Sequence, residues 1–305
     1  MMKTKFLTSI LSFLILFSGN IFAQEYPSGS LLWRVSGNGL EKPSYLLGTL
    51  HLETGEYLNK ISGAIEAMDV CEQFVGELDV TNMMSVQQEM MPGMMMPSDT
   101  SYKMLYSEEE YQFVSKQLAT FLGVGLDQLG ILKPSALQTT VTAMIFQKSL
   151  PDFAVENALD IVIQKTGTAK GKPILALETV TDQVDALFNA SSLRRQADLL
   201  LCTLQEWENS EEGIKDVLKL IDDYHNGDLN ALYFESFQKE DTPCPQTPEE
   251  KNKLLKDRND KWMEKLPAII KDKSSFIAVG ALHLAGEEGL LHRLQQAGYN
   301  VEAVK

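Results

Sequence analysis

The sequence predicts an α/β fold: a mixed sheet built from two strand-helix-strand halves with a large helical insertion. Three observations predict it. Alternating or apolar β-type runs lie near both ends, at 30–51 and 73–80 and again at 274–284 and 299–304. Between them a helical middle, about residues 105–240, is interrupted by one short apolar run at Ile174-Leu-Ala-Leu177. No Pro-, Gly- or Ser-rich linker divides the chain, so residues 24–305 read as a single domain.

Residues 1–23 stand apart. Lys3 and Lys5 precede an almost wholly apolar run from Phe6 to Phe17, and Ala23 offers a small residue for cleavage before Gln24. That order is a signal-peptide layout, too short to span a bilayer comfortably. It implies export to a periplasmic or extracellular compartment, with no membrane span left after cleavage.

The elements then follow in order. Ser30-Leu-Leu-Trp-Arg-Val and Ser44-Tyr-Leu-Leu-Gly-Thr-Leu-His flank a Gly-Asn-Gly turn, predicting a β-hairpin whose second strand ends at His51. Residues 58–69 have helical spacing, and Gln73 to Val80 reads as a strand carrying Glu77 and Asp79. Residues 83–96 hold seven of the thirteen methionines along with Pro92 and Gly93, and read as a mobile apolar contact segment or lid. Ser107-Glu-Glu-Glu opens a helix, since a hydroxyl N-cap followed by carboxylates suits the helix dipole. Lys133-Pro-Ser opens another, with an apolar face at Leu137, Val141, Met144 and Ile145. After a strand ending near Glu178, residues 182–239 are helical, 242–248 form a Pro-rich loop, and Glu249 to Lys271 make a charged amphipathic helix. A strand at 274–284, a helix at 287–297 and a strand at 299–304 finish the chain.

A formal charge of −15 with no basic patch argues against nucleic acid and anionic lipid as partners. A peptide or small-molecule ligand is compatible with it, and nothing in the sequence sets the oligomeric state. The three cysteines allow three pairings in an oxidising compartment; Cys71 sits in an apolar stretch and reads as buried, and Cys202–Cys244 is the pairing favoured.

The chemistry is carried by an internal echo. Gly48-Thr-Leu-His51-Leu and Gly280-Ala-Leu-His283-Leu share four of five residues, and each follows an apolar strand. Ligands of α/β sheets sit beyond the carboxyl ends of strands, and glycine permits close backbone approach there. Two such histidines, meeting across a pseudo-two-fold axis, suit metal binding. A lone histidine at either place would read as structural; the repetition turns the reading towards function. His225 and His292 lack this context and read as surface residues. Glu77 and Glu178 are strand-end carboxylates, each needing a cation, a donor or an open cleft, and each able to act as a metal ligand or general base. Asp79 is a weaker companion on the face of Glu77. Arg258 is suited to stabilising an oxyanion and Asn259 to orienting a substrate carbonyl. No Gly-x-Ser-x-Gly is present, which counts against a serine hydrolase.

Six segments in order resemble the TraB/GumN family, which contains the Tiki-type metalloproteases. They are Tyr45-Leu-Leu-Gly-Thr-Leu-His51, Phe74-Val-Gly-Glu77-Leu-Asp, Gly171-Lys-Pro-Ile-Leu-Ala-Leu-Glu178-Thr-Val-Thr-Asp-Gln183, Arg258-Asn259-x-x-Trp-Met263, Gly280-Ala-Leu-His283-Leu-Ala-Gly286, and Leu294-x-x-x-Gly298-Tyr-x-Val301. The resemblance implies a TraB/GumN/Tiki-like fold and, in the Tiki branch, manganese- or cobalt-dependent peptide cleavage, with zinc a further candidate. It carries the working roles to His51, His283 and Glu77 or Glu178, with Arg258 as accessory. Two functions are therefore expected: a metal-dependent hydrolase acting on peptides, or a non-catalytic extracellular binding or signalling-regulator module for a peptide or small ligand.

Overall fold

The computed structural model describes residues 26–149, 154–208, 211–238 and 244–305. The expected signal segment, 1–23, lies outside the described residues. The strands are β1 (Leu32–Ser36), β2 (Ser44–Thr49), β3 (Gln73–Gly76), β4 (Ile174–Ala176), β5 (Ser275–Gly280) and β6 (Asn300–Ala303). Among the described residues they form one sheet in the order β4-β3-β5-β2-β1-β6. The four strands from β4 to β2 are parallel, while β1 pairs antiparallel with both β2 and β6. Strands β2, β3 and β5 are buried along nearly their whole lengths, which explains their unbroken apolar sequences: a parallel strand is covered on both faces. The hairpin turn uses Gly37, Asn38 and Gly39, all at positive φ (79°, 46° and 80°), a region glycine and asparagine tolerate best.

Helix α1 (Ala64–Val70) links β2 to β3, and α2 (Met83–Met94) follows. The insertion then runs through α3 (Tyr102–Leu105), α4 (Glu108–Leu122), α5 (Leu126–Leu129), α6 (Pro134–Ser149) and α7 (Leu159–Ala169) to β4. It continues with α8 (Val180–Phe188), α9 (Leu193–Glu208), α10 (Glu211–His225) and α11 (Leu229–Tyr233), the last running on as a π-helical turn at Phe234–Gln238. The charged amphipathic run is two helices, α12 (Pro248–Leu254) and α13 (Lys256–Asp272), and α14 (Leu290–Gln296) precedes β6. Ser107 caps α4 through a full capping box with Glu110, as its sequence predicts.

One hydrophobic core lies on the sheet, around Leu46, Leu47, Phe74, Phe276, Ile277 and Trp262. A second core, including Val114, Leu118, Leu137, Val141, Leu200 and Leu204, holds the insertion's helices together. Helix α13 joins the sheet core along a single stripe, with Arg258, Trp262, Leu266 and Ile270 at intervals of four residues, all buried.

The Met-rich segment forms a helix: methionine is a good helix former, Asn82 caps the first turn, and Pro92 and Gly93 fall in the last. It lies against α8 so closely that a Cβ on Gly93 would come within 2.2 Å of Val184. One expectation needs correction: the two Gly-x-Leu-His segments lack a two-fold relation. They leave β2 and β5, adjacent strands running the same way, with Thr49 opposite Gly280. A step across the sheet relates them.

Cys202 of α9 is bonded to Cys244, which precedes α12, and Cys71 is free and buried. The bridge spans a sequence separation of 42 residues, for which chain entropy gives about 4 kcal/mol as a ceiling. A Cys202→Ser/Cys244→Ser variant is expected to lose roughly 2–4 kcal/mol in urea unfolding, and wild type under reductant should lose as much.

Candidate functional site

Four parallel strands each deliver one polar residue just beyond their carboxyl ends. Across the sheet these are Glu178 after β4, Glu77 after β3, His283 after β5 and His51 after β2. Helix α13 brings Arg258 and Asn259 over the same edge. The strands end slightly earlier than their apolar patterns suggest, so these polar residues sit on the turns that follow. His283 lies in a short 3-10 turn at Ala281–His283.

Arg258 is the hub. Its Nε and Nη2 donate to the two oxygens of Glu178 at 2.9 and 2.7 Å, and Nη2 also donates to Glu77 Oε2 at 2.6 Å. Nη1 donates to His283 Nε2 at 2.9 Å and to the Leu254 carbonyl at 3.3 Å. All five N–H groups are thus engaged. Glu178 accepts from Trp262 Nε1 as well, at 3.1 Å, and its side chain is 1% exposed. The Trp262 ring also covers Arg258 and His283. Glu77 places its other oxygen, Oε1, on the Gly280 N–H at 2.8 Å.

The histidines are gripped alike at Nδ1. His283 Nδ1 donates to Asn259 Oδ1 at 2.8 Å, while the Asn259 amide donates to the His283 and Glu288 carbonyls at 3.1 and 2.8 Å. This fixes the tautomer, so His283 Nε2 presents a lone pair. It also corrects the expected role of Asn259: its amide is spent at both ends on His283 and Glu288, and orients the imidazole instead of a substrate carbonyl. His51 Nδ1 bonds the Asp160 carboxylate, leaving Nε2 as the ring's open nitrogen. Asp160 was not legible in advance. It sits in the first turn of α7, where a carboxylate is ordinary dipole chemistry, and nothing local ties it to a histidine 109 positions away.

The glycines of the echo do different work. A Cβ on Gly48 would lie 3.0 Å from the Ala281 backbone, so Gly48 admits the second motif's chain. Gly280 supplies the N–H that holds Glu77, and a Cβ there would meet nothing nearer than 3.4 Å. Asp79 turns away and accepts from Thr81, so it does not join the site. His225 is more than a surface residue: it pairs with Glu53 at 2.6 Å and stacks on Tyr57. His292 meets the edge of Tyr26.

His51, Glu77, Arg258 and His283 line a cleft of about 460 Å³. Its walls are apolar, including Leu50, Leu52, Leu220, Leu232, Phe237 and Leu254. The wall's Tyr224 hydroxyl is spent on the Gly48 carbonyl and the Thr139 hydroxyl on its own helix.

Burial and charge set the protonation states. Burial drives the His283 pKa down to about 3, with Arg258 adding to the effect, so its ring is neutral. Burial would raise Glu77, but its cationic neighbours and the Gly280 N–H bring it down to about 2. With His283 neutral, Arg258 is the main fixed cation acting on it. Glu178 is raised, burial outweighing its bonds from Arg258. Asp160 lifts His51 to about 9.

A divalent ion can be judged against this donor set. A neutral imidazole with Nε2 inward and an ionised carboxylate are suitable donors, and His51 joins them on giving up the proton that Asp160 stabilises. Among the described residues, however, no three His, Cys, Asp or Glu side chains are gathered closely enough to hold an ion. Arg258 bonds both Glu77 and His283, whose Oε1 and Nε2 lie 3.9 Å apart. The donor types fit, provided His283 exchanges its bond from Arg258 for the ion.

In metal-free protein, His283 ring signals should not titrate above pH 4, and those of His51 should shift near pH 9, read by NMR. Stability should follow with definite sign. Unfolded His283 takes up a proton near 6.5 and folded His283 only near 3, so stability falls with pH through that window. Glu77 adds a further loss between 4.5 and about 2. The His51–Asp160 contribution, full below 6.5, is lost as pH rises through about 9. It is small, because the His51 side chain is 69% exposed. Chemical denaturation from pH 3 to 10 tests the shape; a flat profile between 6.5 and 4 contradicts a buried neutral His283.

The metalloprotease TIKI2 of Danio rerio is 25% identical to this chain over 317 residues, covering 90% of this chain and 60% of that protein. The chain thus spans about 60% of the length of the curated relative it matches. No solved structure matches it significantly. The TraB/PrgY/gumN family pattern matches residues 31–303. With that match embracing all six strands and every residue of the cleft floor, the chain belongs to the TraB/PrgY/gumN family.

Proposed function

We propose that this cleft hydrolyses peptide bonds with one divalent ion, manganese, cobalt or zinc, held by His51, His283 and Glu77. The observation that carries the reading is that these three donor types line one cleft at neighbouring strand ends, beside a buried arginine. The similarity to a metalloprotease supports it. When bound, the ion would acidify a water molecule and polarise the scissile carbonyl.

The chain's own residues supply the rest. Glu77 is ionised and its side chain is 12% exposed, so it brings negative charge to the ion. Glu178, enclosed and doubly bonded to Arg258, holds the guanidinium in position. Arg258 Nη1 shares a proton with His283 Nε2. Once that lone pair turns to another partner, Nη1–H becomes the cleft's donor for an oxyanion. The leucine-rich walls exclude water from the floor, which strengthens these interactions.

A second reading, a non-catalytic module binding a peptide or small ligand, is favoured by two features: the apolar walls and the fully engaged Arg258. Both readings place the protein outside the cytoplasm, supported by the N-terminal apolar pattern and the Cys202–Cys244 bridge. Among the described residues, no helix is long and apolar enough to cross a membrane. N-terminal sequencing of protein recovered from outside the cytoplasm should begin at Gln24.

The decisive experiment is elemental analysis after incubation with manganese, cobalt or zinc, followed by a peptide-library digest. Wild type should hold about one ion and cleave; His51→Ala and His283→Ala should fold, lose the ion and lose cleavage by at least about a hundredfold, the scale of a removed first ligand or catalytic donor. Folded wild type with neither ion nor cleavage would leave the binding module.

A further inference from the structure

One face of α7 reaches two loops of the site. Asp160, in its first turn, bonds His51 Nδ1 on the loop after β2. Gln164, one turn on, grips the loop after β3: its Nε2 donates to the Leu78 carbonyl at 2.7 Å and its Oε1 accepts from the Val80 N–H at 2.9 Å. That loop carries Glu77. Residues four apart share a helix face, about 6 Å along the axis. Gly167, one turn further still, seats the helix on the sheet; a Cβ there would lie 2.8 Å from the Phe74 ring. Gly76 is required for the same reason, since its Cβ would fall 2.3 Å from Gln164 Nε2. The helix start is itself fixed to the His51 loop, through Leu159 N–H on the Glu53 carbonyl at 2.8 Å and the Thr54–Ala158 bridge.

We propose that α7 is the gauge that sets the separation of His51 and Glu77, with Asp160 and Gln164 as positioning residues. The inference rests on the proposed function only in taking His51 and Glu77 as the working groups. A purely structural helix would press apolar side chains here. Instead, a buried glutamine and a carboxylate are spent on the two loops, and Asp160 Oδ1 is buried with no hydrogen-bond partner among the described residues. An oxygen left unpaired in this way costs stability, so stability alone does not explain an aspartate at this position. The carboxylate does, however, hold the imidazole by one nitrogen and leave the other open, as carboxylates behind ligand histidines do.

The test uses the full chain with Asp160→Asn, Gln164→Met and the double variant, and Gln164→Glu as the replacement if Gln164→Met does not fold. Two reporters are read in metal-free protein. Asp160→Asn should shift the His51 ring nitrogens in long-range proton–nitrogen spectra and leave those of His283 unchanged. Gln164→Met should shift the Gly280 amide, which donates to Glu77. Manganese and cobalt affinities, measured by calorimetry, should fall about 10- to 100-fold in each single variant. The double variant should fall by less than the product of the two, because both act through one spacing. Variants that only lose melting temperature, with both reporters at their wild-type positions, overturn the gauge. Shifted reporters in a protein that neither binds metal nor cleaves peptides uphold the gauge and sink the hydrolase instead.

Discussion

The structure depends on the charge of Arg258 being matched where it stands. A guanidinium 8% exposed survives only with its donors satisfied, and here two carboxylates, an imidazole and a carbonyl share the task. Those partners come from β3, β4, the β5 turn and α12, so the ends of three strands and two helices meet at one ion. The same network keeps Glu77 ionised and His283 neutral. The ionised Glu77 would not hold alone at that depth, whereas burial itself favours the neutral His283.

How much of this was legible follows from distance along the chain. Strands β2, β3 and β5 were readable because burial on both faces leaves a continuous apolar signature, and α4 and α6 were readable from the residues that open them. The two Gly-x-Leu-His segments announced themselves by repeating. Their adjacency did not, because strand order is a long-range property: β5 inserts between β3 and β2 although nearly 200 residues separate it from β3. Asp79 and Glu77 look equivalent in sequence, yet the strand stops at Gly76 and the bend turns Asp79 onto Thr81. Asn259 looked like a substrate group because nothing local shows that its amide faces a histidine. The methionine segment's composition suggested an adaptable apolar surface but did not show its helix, in which Pro92 and Gly93 merely close the last turn.

The charged floor and apolar walls make an uneven environment. Below, every polar atom of Arg258, Glu178 and Asn259 is tied down; above, the leucines and Phe237 offer shape without hydrogen bonds. A ligand would be oriented by the floor and held by area against the walls, the division found in small-molecule and peptide sites generally. The π-helical turn at Phe234–Gln238 contributes Ser236 and Phe237 to that wall, an irregularity of the kind that often marks functional sites.

The contact between Gly48 and Ala281 has a mechanical consequence. With the backbone of one motif resting in the space a side chain would fill on the other, the turns bearing His51 and His283 form a single ledge and cannot shift independently. Any adjustment to an incoming ligand is therefore left to the opposite bank, the ends of α10 and α12 and the π-helical turn between them. The cleft is built like a vice with one tied jaw, and that jaw carries the polar groups.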